Sequence, residues 1–198
     1  GDVPLIVRSQ GTVEPHTEAE LIPEVSGRVV WMSPSLRSGG RFAAGELLLR
    51  IDDSDYRSGV GAAEAVLMRA QAEAEFARFE SERMATLLAR ELASRSQAEN
   101  ASRARRVAES VLKEAEVALE RARLDLARTA ISAPFGGRVR SARVDIGQTL
   151  SRGDRIATLY ATDYMEVRLP IADRQLAFLD PALIRSGIAP GCDAAPVS

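Results

Sequence analysis

Two stretches of this chain carry one pattern, and a long insert separates them. The first runs Ser26-Gly27-Arg28-Val29-Val30, then Gly39, Gly45 and Leu49-Arg50-Ile51. The second runs Gly136-Gly137-Arg138-Val139-Arg140, then Gly147, Gly153 and Ala157-Thr158-Leu159. In each, two glycines stand six residues apart and a short apolar run follows. An internal repeat constrains architecture before any single motif does. This one predicts a small β-module split into halves, with everything between them projecting as one appendage, a spacer or docking arm. The halves differ in one respect. Gly27 to Gly39 is twelve residues where Gly137 to Gly147 is ten, which predicts a bulge in the first turn.

Pro23, Gly27, Pro34, Gly39, Gly40 and Gly45 punctuate residues 17–53. Punctuation this dense between apolar pieces predicts short strands and tight turns. The same texture returns after Arg128, with Ala133-Pro134-Phe135-Gly136-Gly137 as a turn and the second half ending near residue 161. Outside the repeat, Val3, Leu5 and Val7 alternate and predict a strand over 3–13, broken by Gly11 and Pro15. Met165, Val167, Leu169 and Ile171 alternate likewise. Asp173 to Leu179 reads as a short helix, and 186–198 offers little core. A piece of two or three strands cannot bury a core by itself. Residues 1–16 and 164–198 are therefore expected to be parts of one further, incomplete β-domain.

From about residue 56 to 128 there is no proline, and glycine occurs only as Gly59 and Gly61. Ala, Glu, Arg and Leu dominate, all strong helix formers. Asp53, Ser54 or Asp55 is expected to cap the helix start. Ala101, Arg105, Ala108, Leu112, Ala115, Leu119, Ala122 and Leu126 step by four and three, a heptad seam. The first arm offers Val60, Leu67, Ala74, Ser81 and Leu88 on one rung and Ala63, Ala70, Ala77 and Met84 on the other. The seams predict an antiparallel helical hairpin over 55–128, each arm roughly 50 Å long at 1.5 Å per residue. A single continuous helix would part the β-halves by roughly 100 Å and is disfavoured. The hairpin tip falls at 89–93, and Ser94 with Gln97 fits a capping box opening the second helix.

Composition removes several function classes. The formal net charge is −2, without the basic excess of a nucleic-acid binder. No apolar run approaches the roughly 18–20 residues that span a bilayer. No signal peptide is visible and the chain starts at Gly1, which predicts a processed or engineered chain with any leader or anchor outside it. Cys192 is the one cysteine and excludes an internal disulfide. His16, the one histidine, reads as a solvated loop residue, and zinc has no ligand set beside it. Asp52, Asp53 and Asp55 lack the glycine and bidentate glutamate of a calcium loop. Gly136-Gly137 is not followed by a phosphate-loop pattern. No catalytic constellation, metal site or cofactor site remains, so the expectation is a non-enzymatic protein whose helical insert carries its function.

The split repeat with its glycine spacing resembles a biotinyl/lipoyl domain. A carrier of that kind needs a lysine on an exposed β-turn, and the only lysine, Lys113, lies mid-helix. A swinging-arm role is thus opposed.

Three motifs resemble the membrane fusion protein family, the periplasmic adaptors of RND-type tripartite efflux pumps. Val25-Ser26-Gly27-Arg28-Val29-Val30 leading to Gly45-Glu46-Leu47-Leu48-Leu49-Arg50-Ile51-Asp52 is similar to that family's first lipoyl half. Leu124 through Val139, with its Ala133-Pro134-Phe135-Gly136-Gly137 core, resembles the helix-to-lipoyl junction. Arg83, Leu87 and Ser94 fit the R-x3-L-x6-S pattern by which such adaptors engage a TolC-like outer-membrane channel. The resemblance implies an α+β chain. A lipoyl-like β-sandwich in halves 17–54 and 129–163 would carry the inserted α-helical coiled-coil hairpin. Residues 1–16 and 164–198 would give a partial β-barrel domain. It also implies a location in the periplasm with an inner-membrane anchor outside this chain. The implied partners are an inner-membrane RND transporter, the channel, and copies of itself in a ring, a hexamer by family resemblance. Asn100 stands where the family pattern leads one to expect an acid. An adaptor of an ABC-type exporter or type I secretion system stays open as the alternative, and a lipoyl or biotinyl carrier stands behind it.

Overall fold

The computed structural model describes residues 10–168. They fall into two compact units. One takes in residues 10–17 and 162–168, and the other runs from Glu18 to Ala161.

In the first unit, β1 (Thr12–Pro15) pairs antiparallel with β10 (Met165–Arg168), Thr12 opposite Arg168 and Pro15 opposite Met165. The strand expected over 3–13 is therefore shifted in its described part. Gly11 precedes it, and Pro15 is its last residue instead of a break. A two-stranded ribbon has only edges, where a proline's missing N–H is tolerated. His16 is exposed in the bend after β1, as the solvated-loop reading expects, and it has partners there. Its Nδ1 lies 2.5 Å from Glu166 Oε1, and its ring meets Tyr164 edge-on at 5.5 Å. The helix expected at 173–179, the tail and Cys192 lie outside the described residues.

In the second unit the first repeat supplies β2 (Glu18–Leu21), β3 (Gly27–Met32), β4 (Arg41–Phe42) and β5 (Leu47–Ile51). The second supplies β6 (Ala130–Ser132), β7 (Gly137–Ala142), β8 (Thr149–Leu150) and β9 (Ala157–Ala161). They build two four-stranded sheets in the orders β2-β9-β7-β4 and β6-β5-β3-β8. Each half thus keeps two strands together and lends two to the sheet of the other. The correspondence extends to irregularities. Val29 opposite Ile51 and Val139 opposite Leu159 are each followed by a shift of register one residue on. Gly39 N–H donates to Val139 O and Gly147 N–H to Val29 O, both at 2.8 Å. All four glycines of the two pairs have positive φ, from 76° at Gly45 to 93° at Gly153, where a Cβ is resisted.

The expected bulge is present. Two extra residues, Pro34 and Ser35, lie between Ser33, whose N–H binds Leu48 O, and buried Leu36; Arg143, which binds Ile156 O, and buried Val144 adjoin directly. The added turn crowds Gly40, where a Cβ would stand 2.0 Å from Ser35 O. Between the sheets lies the core, with Val29, Leu48, Leu49, Ile51, Ile156 and Leu159 at most 1% exposed.

Helix α1 (Ser54–Ala89) and helix α2 (Arg95–Ala127) follow β5 and precede β6. Because β5 and β6 are antiparallel neighbours, the helices leave and re-enter one sheet and must double back. Arg123 Nη2 meets Glu64 Oε1 at 2.9 Å across them. Ala70, Ala74, Ala115 and Leu119 are buried along the seam, and its other rungs are half-buried. The start of α1 is not capped as expected. Asp53 occupies the cap position without a side-chain cap bond and pairs with Arg57 at 2.8 Å. Asp52 Oδ1 instead accepts from Ser54 N–H at 3.1 Å and Ser54 Oγ–H at 2.7 Å. Those bonds hold the Asp52 carboxyl below its ordinary pKa.

Candidate functional site

The tip of the hairpin is a built turn. Glu91 has φ 61°, Glu91 N–H donates to Leu88 O at 2.9 Å, and Leu92 N–H donates to Leu87 O at 2.8 Å. This pair of bonds is the Schellman motif that ends helices, with a glutamate where glycine is usual. Ser94 then opens α2. Its hydroxyl accepts from Gln97 N–H at 3.2 Å, while Ser94 N–H donates to Gln97 Oε1 at 2.8 Å, completing the capping box. The apex is thus held rigid by its own backbone, and Leu92 stands out from it, 71% exposed.

The three residues expected here fall in three different situations. Arg83 is exposed, but its guanidinium already grips Glu80, Nη2 to Oε1 at 2.7 Å and Nε to Oε2 at 3.0 Å. Leu87 is half-buried beside the seam residue Leu88, and its carbonyl anchors the Schellman turn. Ser94 is exposed, with its hydroxyl hydrogen directed to Gln97 Oε1 at 3.0 Å. Arg83 and Leu87 lie four apart on one helix face, while Ser94 sits across the turn.

Sequence reasoning missed two features. Leu92 escaped it because a single leucine outside any periodic run carries no pattern. The second is a broad face of the hairpin. Its groove of 960 Å³ is lined by Phe76, Met84, Ala104, Val107 and Val111, among others. Phe76 is 64% and Val107 58% exposed. Its signal lay in Phe76, Val107 and Val111 at positions flanking the seam, interspersed with Arg69, Glu73, Glu80 and Arg103 in the same lining.

Among the described residues no group of three His, Cys, Asp or Glu side chains could hold a metal ion, and no helix is long and apolar enough to cross a membrane. Lys113 lies mid-helix and is paired with Glu116 at 2.9 Å; the pair holds its ammonium above the ordinary lysine pKa.

A swapped two-sheet sandwich interrupted by a hairpin is matched over residues 17–162 by the family described as "RND MFP, barrel-sandwich hybrid domain". The chain belongs to that family. The multidrug efflux pump subunit AcrA of Escherichia coli is 30% identical over 152 residues, 77% of this chain and 37% of AcrA. The multidrug resistance protein MdtA of Klebsiella pneumoniae is 29% identical over 177 residues, 88% of this chain and 42% of MdtA. Among solved structures, MacA from Actinobacillus actinomycetemcomitans shares the fold with TM-score 0.65 at 22% identity, covering 84% of this chain and 56% of MacA. The chain thus spans well under half the length of these two curated relatives.

Proposed function

We propose that this chain is the hairpin-bearing part of a non-enzymatic periplasmic adaptor in a tripartite efflux pump. It would link an inner-membrane RND transporter to a TolC-like outer-membrane channel, with several copies closing into a ring of six. The observation that carries this reading is the rigid, exposed apex at the end of an arm about 54 Å long (36 residues at 1.5 Å each). Energy for transport would come from the transporter. Residues 1–16 and 164–198 would belong to a β-barrel domain, 17–54 and 129–163 to the lipoyl-like sandwich, and 55–128 to the arm. A segment outside this chain would hold the adaptor at the inner membrane.

At the tip, Leu87 and Leu92 would supply apolar contact and Arg83 a planar fork for carboxylates or carbonyls of the channel. Because Glu80 holds that fork, binding would exchange one acidic partner for another. Glu80→Gln should then strengthen channel binding while Arg83→Ala weakens it. Arg83→Ala and Ser94→Arg should each raise drug susceptibility in cells with the helical content of the protein unchanged. Wild-type susceptibility in both variants would remove the tip from the channel contact. Crosslinking from Leu87→Cys to the channel protein tests the contact directly.

A further inference from the structure

Arg41 on β4 and Arg138 on β7 are paired directly across the ladder, and both point outward, since their neighbours Phe42, Gly137 and Val139 are buried. Side chains so placed have Cβ atoms about 4.5–5.5 Å apart, and like charges there destabilise the sheet. Two nearby arginines are neutralised, Arg140 by Glu18 and Arg155 by Glu20, each at 3.1 Å. Among the described residues no carboxylate lies within 4.0 Å of Arg41 or Arg138.

The repeat contains its own control. The equivalent cross-strand pair in the other sheet is Arg28 opposite Thr149, one cation instead of two. There Asp52 stands 3.8 Å from Arg28. The counterpart of Asp52 in the second half is Tyr160, in register with Arg138. One site is therefore balanced, and its twin carries two positive charges with no acid. The balanced site lies on the opposite outer face of the sandwich. It opens into a hollow of 480 Å³ lined by Ser26, Arg28, Asp52, Asp55 and Tyr56. Asp52 is occupied by Ser54 and Arg28, whereas Asp55 is exposed and has no ion pair among the described residues.

We propose that the Arg41–Arg138 pair of one copy docks against the Asp55 hollow at the hairpin root of a second copy. The two sheets lie back to back, so their outer faces point in opposite directions. A head-to-tail contact brings one against the other, and repetition of such a contact closes a ring where the rotation at each step sums to a full turn. The unneutralised arginines find on the next copy the acid their own sheet lacks. The inference rests on the reading that copies of this chain assemble.

Sedimentation velocity of the full chain tests it. Arg41→Glu with Arg138→Glu should raise the self-dissociation constant at least about tenfold, as should Asp55→Arg alone, because each sets like charges face to face. The chain carrying all three changes should return to within about threefold of wild type, which also shows that each reversed surface still folds. Self-association indifferent to the reversals would overturn this contact and leave the ring intact. A wild-type chain that does not self-associate would overturn both. Vesicles of phosphatidylglycerol and phosphatidylcholine form the last arm. If they bind through Arg41 and Arg138 while self-association is unmoved, the arginines serve an anionic lipid and the proposal fails.

Discussion

The two halves of the sandwich agree inside and disagree outside. Val29 and Val139, Leu48 and Ile156, and Ile51 and Leu159 are all buried at matching places. Around the shared outward arginines Arg28 and Arg138 the neighbours have diverged, Asp52 against Tyr160 and Thr149 against Arg41. Packing density ties interior residues to their neighbours, since a single methylene is felt. Outer positions answer only to water or to a partner. What the halves share is therefore the fold, and where they part is the place to look for contacts with other molecules.

The comparison is broken most forcefully in the core. Ile51→Ala and Leu159→Ala should each cost about 2–5 kcal/mol and agree within about 1 kcal/mol, read from denaturant midpoints. A large inequality would mean that the halves do not share one core. Next comes Gly40, needed only where Pro34 and Ser35 lengthen the turn. Gly40→Ala should cost about 1–3 kcal/mol, and deleting Pro34 and Ser35 in the same chain should recover most of the loss. At the tip, which has no counterpart in either half, Ser94→Ala should cost about 1 kcal/mol. Glu91→Gly should stabilise by up to about 1 kcal/mol, relieving the left-handed backbone; helical melting checks both. The smallest effect distinguishes Asp52 from Tyr160. The Asp52 pKa is lowered in the folded chain, so its contribution to stability is present above the ordinary carboxylate range and fades as pH falls through the folded value. Asp52→Asn should therefore lower the melting temperature slightly at pH 7, by an amount that shrinks as the pH falls below the ordinary carboxylate range.

Much of this was legible in the sequence because it depends on local rules. The glycine pairs announce turns that need positive φ, and the step of four and three in 101–126 marks the buried side of α2. Ser94 and Gln97 satisfy each other three residues apart. The exchange of strands between sheets was not legible, because Gly39 finding Val139 and Gly147 finding Val29 is a pairing over about a hundred residues, on which neither local pattern has any bearing. Ser54 was drawn to Asp52 instead of serving as the cap, a competition among adjacent acids that propensity does not rank. At the candidate site, the turn and cap of Ser94 were readable. The capture of Arg83 by Glu80 was not legible, since i, i+3 spacing permits such a pair without requiring it. Leu92 gave no periodic signal at all.

The adjacency of β5 and β6 has a mechanical meaning. Both legs of the arm are sewn side by side into one ladder, so a peptide bond severed between Arg90 and Ala93 would not release either piece. The two fragments would stay clasped through both sheets and the seam, and a nicked molecule would migrate as intact until denatured.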